Sequence, residues 1–289
     1  MTKTRNFLFL VVIALVMSFL NHLPGGSLDA QAATAGHFKK VMVVILENTN
    51  FDDAVSQPFL SKLIKNGAFL QNFYAEAHPS QPNYLALISG STQGVKSDAI
   101  VNLSGRHVGD LLEEKGLDWK VYAEQYPGNC FLKATSGTYV RKHTPFLSFK
   151  NVSGDPRRCE KMVEAGALAD DIKSGQIPPF SLYIPDMNND GHDTGVAYAD
   201  KWLSKAFGPL IADPSFMKDM LLVVTFDESE GNGANHVFTV MYGNTVAPGS
   251  VSDVKYTHYS LLRTVEDELG LGTLNASDSK ASAITDIWK

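Results

Sequence analysis

Val41-Met42-Val43-Val44-Ile45-Leu46, followed at once by Glu47-Asn48, is the stretch on which the fold turns. Six apolar residues, four of them β-branched, leave no alternation for a solvated face, which is the pattern of a strand covered on both sides in a parallel sheet. The abrupt change to a carboxylate and an amide puts polar groups at a strand's carboxyl end, where open α/β sheets bind ligands. By itself the pair also fits the start of a solvated loop.

Downstream, the chain repeats the alternation. Gln57 to Asn66 carries Phe59, Leu60, Leu63 and Ile64 at helical spacing and closes on Gly67; Ala68 to Tyr74 reads as a strand. His107 to Lys115 reads as a helix and Trp119 to Ala123 as a strand. Arg158 to Ser174 is expected to be one helix, Phe180 to Ile184 a strand, and Val196 to Ile211 a helix with Trp202, Leu203, Phe207 and Leu210 inward. Leu221 to Phe226 is the clearest buried strand, Val237 to Tyr242 another strand, and Tyr256 to Leu269 a last helix with Thr257 as N-cap and Gly270 as C-cap. Strand, helix, strand, helix is the rhythm of a mostly parallel sheet with crossover helices, so the fold class is α/β, a central sheet sandwiched by helices.

Two segments stand outside this rhythm. Lys3 and Arg5, an apolar run from Phe7 to Leu20 and the small residues around Ala32 describe a secretory signal peptide cleaved near Ala32, with an uncleaved anchor as the alternative. Residues 33–289 then form a single exported domain, secreted or periplasmic, without a stable membrane anchor once the signal is removed. Tyr126 to Pro156 shows no sustained period and is expected to form a cap over one end of the sheet, as an insertion spanning about 126–160. Cys130 and Cys159 are the only cysteines; in an oxidising compartment they are most simply a disulfide pinning that cap, worth about 3 kcal/mol through the unfolded state. Within the cap, Lys142 and His143, with Arg141 before them, either reach a substrate or are ordinary exposed charges, and the second is the expectation.

Charge excludes some partners. Removing residues 1–32 lowers Lys+Arg from 25 to 23 and Asp+Glu from 31 to 30, so the net charge moves from −6 to −7. A mildly acidic chain without a Lys/Arg run has no electrostatic footprint for nucleic acid or for an anionic membrane surface.

The chemistry gathers at four places. His78-Pro79-Ser80-Gln81-Pro82-Asn83-Tyr84 holds a serine between two prolines just before the apolar run Leu85 to Ile88; it is either a helix cap or a hydroxyl presented to an anion at a helix start. The strand Phe180 to Ile184 ends in a loop containing Asp186, Asp190, His192 and Asp193, a composition that also suits a plain turn. Leu221 to Phe226 ends in Asp227-Glu228, with His236 shortly after, and Glu47-Asn48 completes the set. Carboxylates and amides from separate strand ends make a hard, oxygen-rich site for one divalent cation, with a second possible. Such a cation beside Ser80 would favour its alkoxide and neutralise a transferring phosphoryl group. Asn83, His78, Asp186 and Asp193 are then the expected phosphate-side groups, and His192 and His236 act as phosphate ligands or leaving-group acid. His258, in the first turn of the last helix, reads as structural. A Ser-His-Asp hydrolase fits poorly, because there is no Gly-x-Ser-x-Gly elbow and Glu47-Asn48 would be idle.

Leu46-Glu47-Asn48 with Phe51-Asp52, His78 to Tyr84, Pro185-Asp186 through Gly191-His192-Asp193, Thr225-Phe226-Asp227-Glu228 and His258 to Thr264 together resemble the bacterial and fungal phosphoesterase family of acid phosphatases and phospholipases C, within the alkaline-phosphatase-like superfamily. The resemblance runs over nearly all of residues 33–289. It implies metal binding by Glu47, Asn48, Asp227 and Glu228 with Ser80 as nucleophile, and a small phosphate ester or a phospholipid headgroup as substrate. In the superfamily's two-metal enzymes a histidine stands where this chain has Glu228, and the spacing from Asp186 to His192 is longer here, so the resemblance favours one metal. The expected function is a secreted phosphomonoesterase working through a phosphoserine; the alternatives are a phospholipase C-type phosphodiesterase and a non-catalytic anion-binding protein.

Overall fold

The computed structural model describes residues 36–231 and 234–289; the signal-peptide expectation lies outside them. An eight-stranded sheet runs in the order Ser250–Ser252, Ala68–Leu70, Thr239–Gly243, Met220–Phe226, Lys40–Leu46, Phe180–Ile184, Trp119–Ala123, Met162–Glu164. Only Thr239–Gly243 runs against its neighbours; the other contacts in the sheet are parallel. The two strands read as covered on both faces lie side by side at its centre, with every residue of Val41–Leu46 and Met220–Phe226 buried.

Helices pack on the sheet in two groups. Pro58–Asn66 packs with Val196–Ile211, and Ser80–Ser89 packs with His258–Glu268. Buried Asp200 fastens the first pair by accepting the otherwise free N–H groups of Phe59 and Leu60, at 3.0 and 2.8 Å. Thr257 caps the last helix, its hydroxyl accepting from the N–H of Tyr259.

The structure departs from the sequence reading at the sheet's margin. Arg158 to Ser174 is not one helix: a short helix Pro156–Cys159 gives way to the edge strand Met162–Glu164, and the helix begins only at Ala167. Val121, Tyr122 and Ala123 offer an open ladder to Met162, Val163 and Glu164, and that pairing outweighs local helix propensity. Ala68 to Tyr74 is likewise split, Phe73–Tyr74 leaving the main sheet to pair with Tyr256–Thr257. Cys130 and Cys159 are bonded, with Cα atoms 5.2 Å apart, which ties the irregular segment to the start of that edge strand.

Candidate active site

Parallel register brings the first two clusters together. Leu46 pairs with Phe226, and the N–H of Asp227 donates to the carbonyl of Leu46 at 3.0 Å, so Glu47 and Asp227 leave neighbouring strands side by side. The N–H of Glu47 donates to the carbonyl of Asp190 at 3.0 Å, which draws in the loop after Phe180–Ile184. Glu47, Asp190, Asp227 and Glu228 are all buried.

Ser80 is the first residue of the helix Ser80–Ser89, with Pro79 at the N-cap, and its side chain caps nothing. The hydroxyl instead points at two carboxylates, 3.1 Å from Oε2 of Glu47 and 3.2 Å from Oε1 of Glu228. Gln81 is the residue whose N–H is capped, by Oδ1 of Asp98 at 3.0 Å. The Ser80 side chain is therefore not a helix cap. Glu228 is held from its other oxygen by Nδ1 of His78.

Asn83 does different work from that expected of it. Its Oδ1 accepts from the N–H groups of Glu76 and Ala77, both at 2.9 Å, and its Nδ2 donates to the carbonyl of Ala77 at 2.8 Å. The amide is spent on bracing the turn that delivers Ser80. Asn235, which sequence reasoning passed over, ties the same turn to the loop after Glu228: its Nδ2 donates to Ala77 and its Oδ1 accepts from the N–H of Ser229, each at 2.8 Å.

The Pro185–Gly195 loop divides unexpectedly. Asp186 accepts from the N–H groups of Asn188 and Asn189 and from the hydroxyl of Thr138, so its carboxylate organises the turn. Gly191 and Gly195 supply the positive φ values, 101° and 84°, that reverse the chain twice within five residues. His192 and Asp193 pair with each other at 2.7 Å on the exposed side. It is Asp190 that reaches Glu47. His236 is stacked between Phe51 and Tyr74, with ring centroids 3.7 and 4.9 Å away, and its Nε2 donates to the carbonyl of Gln71; these contacts occupy both faces of the ring and one nitrogen. His258, read as structural, is buried with Nε2 2.8 Å from the carbonyl of Asp227, so it positions that residue's main chain. Burial lowers its pKa to about 4 and keeps it neutral. Asn48 follows Glu47 at the strand end, half-buried.

The cap residues read as exposed charges are not exposed. Arg141 and His143 are buried and Lys142 is half-buried, paired with Asp98 at 2.7 Å. His143 lies over Tyr84, centroids 4.8 Å apart and planes 12° from parallel. Its Nε2 is 2.9 Å from Oε1 of Glu47 but off the line of a hydrogen bond, and its Nδ1 is 3.6 Å from Oδ2 of Asp190. Tyr84 donates to the same Oε1 at 2.9 Å. In the sequence His143 stands out only as a cap residue that could reach a substrate, not as a neighbour of Glu47, and among three aspartates in one loop nothing singles out Asp190.

Electrostatics follow from this crowding. Burial and the charges of Glu47 and Glu228 raise the Asp227 carboxyl well above the usual range. Burial and Glu47 raise Asp190 to about 9. For Glu47 burial acts the same way, but the nearness of His143, with Lys142 and Tyr84, outweighs it and holds the carboxyl low. Both carboxylate oxygens of Asp227, Oδ2 of Asp190 and both ring nitrogens of His143 are buried without a hydrogen-bond partner. Unpaired buried donors and acceptors each cost about 1–3 kcal/mol, and a cation is the partner this acidic set fits.

The phosphoesterase family model matches residues 53–272. A probable acid phosphatase of Kluyveromyces lactis is 34% identical over 260 residues, which cover 86% of this chain and 62% of that protein. The chain therefore spans less than two thirds of that relative's length. A phosphatidylinositol-3-phosphatase of Mycobacterium tuberculosis is 33% identical over 295 residues, covering 99% of this chain and 95% of the relative. A solved structure from Vibrio parahaemolyticus, described as a protein of the alkaline phosphatase superfamily, superposes with a TM-score of 0.62 at 14% identity, covering 87% of this chain and 72% of that one. That likeness establishes the fold.

Proposed function

The chain belongs to the phosphoesterase family, and from that premise we propose that it is an exported, metal-dependent phosphomonoesterase in which Ser80 carries the phosphoryl group between substrate and water. The observation that carries the reading is the Ser80 hydroxyl, turned away from its own helix and onto the buried carboxylates of Glu47 and Glu228. A carboxylate at that distance takes the hydroxyl proton as the oxygen attacks phosphorus, and the ester oxygen leaves on the opposite side. Glu47, Asn48, Asp227 and Glu228 would hold one divalent cation, which supplies charge neutralisation for the phosphoryl oxygens and lowers the hydroxyl's pKa. His78, partly exposed and paired with Glu228, orients that carboxylate and faces incoming phosphate. His192, paired with Asp193 at the surface, protonates the leaving oxygen. Water then attacks the phosphoserine and gives its proton to the His192 ring that protonated the leaving oxygen, while the carboxylic acid returns its proton to Oγ as the Ser80–phosphorus bond breaks.

One observation favours a lipid headgroup as the ester. Ile100 and Leu132 are 50% and 40% exposed, and the Arg141 guanidinium joins the segments bearing them by donating to the carbonyls of Val101 and Leu132. Those segments flank Gln81 and Asp98 beside the serine. An apolar lip there suits an ester presented at a membrane surface.

The test is turnover of a chromogenic phosphomonoester beside a phosphocholine diester and a phosphoinositide in vesicles. Ser80→Ala should lose at least about 10³-fold in kcat/KM with the monoester while keeping its fold. Activity retained in that variant would remove the phosphoserine route, and preference for the diester would make the enzyme a phosphodiesterase.

A further inference from the structure

We propose that Glu47 is a bridging carboxylate and that its Oε1 side, together with His143 and Asp190, is a second cation site, suited to a borderline transition ion such as Zn²⁺. The inference rests on the Ser80 side of Glu47 holding the first cation. The two oxygens of Glu47 face different neighbourhoods: Oε2 meets Ser80, while Oε1 meets His143 and Tyr84. One donor atom each from Glu47, His143 and Asp190 lies within 4.8 Å of the other two, and all three residues are buried.

Three features distinguish this group from a hydrogen-bonded clamp. His143 Nε2 and Glu47 Oε1 sit 2.9 Å apart without hydrogen-bond alignment, and Nδ1 and Asp190 Oδ2 are 3.6 Å apart. Ligand atoms about 2.1 Å from a shared ion lie roughly 3.0–3.5 Å from one another; the Nε2–Oε1 pair has about that separation, and since one imidazole gives an ion one nitrogen, Asp190 joins the set by its place in the 4.8 Å group and not by its distance to Nδ1. Both ring nitrogens and Oδ2 of Asp190 are buried with no hydrogen-bond partner, a state a clamp would have relieved. The ring cannot swing elsewhere for a partner, because it is stacked flat on Tyr84 and Tyr84 is itself anchored on Glu47.

The donor set decides the class of ion. Two carboxylates and an imidazole favour Zn²⁺, Mn²⁺ or Fe²⁺ over Mg²⁺ or Ca²⁺, which prefer oxygen alone. This is a different set from the one the superfamily resemblance would nominate for a second ion: Asp186 is spent on Thr138, Asn188 and Asn189, and Nδ1 of His192 pairs with Asp193 on the exposed side.

Metal-stripped protein titrated with Co²⁺ reads the site without any turnover. Wild type should take up about two equivalents, with visible absorption bands altered by nitrogen ligation as the His143 site fills. His143→Ala and the near-isosteric Asp190→Asn should each take up about one and lose that spectral component, with far-UV circular dichroism unchanged. Asp227→Asn should keep the His143 component. A single equivalent in wild type, lost in Asp227→Asn and retained in His143→Ala, would overturn the second site while leaving the Ser80 chemistry intact. Only activity surviving in Ser80→Ala would remove the latter. If His143→Ala fails to fold, the wild-type stoichiometry and the Asp190→Asn spectrum still decide the matter.

Discussion

Replacing Asn83 by alanine separates two ideas about how this site is built. If the amide touched phosphate, its loss would weaken turnover and leave stability alone. The contacts instead predict a loss of stability. Asn83→Ala removes the acceptor of the Glu76 and Ala77 N–H groups and one of two donors to the Ala77 carbonyl, the other being Asn235. The carbonyl therefore stays satisfied, and two N–H groups are orphaned. Glu76 and Ala77 are half-buried, so water compensates in part and each costs about 1 kcal/mol, the low end for a buried unmade bond. The total is about 2 kcal/mol, which for a domain of this size lowers Tm by roughly 4–8 °C. Loosening the turn should also lower kcat more than it raises KM, because a displaced Ser80 hydroxyl misses the in-line geometry needed in the transition state while the contacts that bind the ground-state substrate are kept. Thermal unfolding and steady-state kinetics on the same sample measure both. A drop in kcat/KM of about 10²-fold with Tm unchanged would refute this account and return Asn83 to the phosphate.

Other outcomes can be stated briefly. Exhaustive chelation should abolish phosphatase activity and added divalent cation restore it; Asp227→Asn should weaken cation affinity measured by calorimetry, since both oxygens of that carboxylate are buried without another partner. Glu266 is buried against Asp278, and burial, then the charge of Asp278, raises its pKa from 4.5 to about 9. A raised folded-state pKa means this contribution is complete below the unfolded value and declines as pH rises toward 9, by up to about 1.4 kcal/mol per unit. Glu266→Gln should therefore flatten the fall of Tm between about pH 5 and pH 8, and an unchanged slope would show that the group is already ionised. Ile100→Ser with Leu132→Ser should reduce turnover of a phosphoinositide in vesicles while sparing a soluble monoester; equal loss on both would dismiss the apolar lip.

Much of the sheet was legible because its central strands are continuous apolar runs, a signal that survives without tertiary context. Phe180–Ile184, Trp119–Ala123 and Val196–Ile211 occupy the residues their patterns indicated. The edge strand Met162–Glu164 was not legible: three residues are too few for a period, and only the open ladder of Val121–Ala123 makes them extended.

For the site, the sequence by itself determined that Glu47, Asp186, Asp227 and Glu228 follow strands, because polarity changes abruptly there, and that a Pro-flanked turn holds Ser80 just before a helix. Tertiary structure decided which of these groups meet. Parallel register set Glu47 beside Asp227, loop hydrogen bonds turned Asp186 inward to its own backbone and sent Asp190 to Glu47, and aromatic stacking took up both faces of His236. His143 is the clearest case, since a residue of an aperiodic cap acquires its partners only when that cap closes on Tyr84. Chain-local physics specifies where a side chain leaves the backbone; its partner comes from packing between segments far apart in sequence.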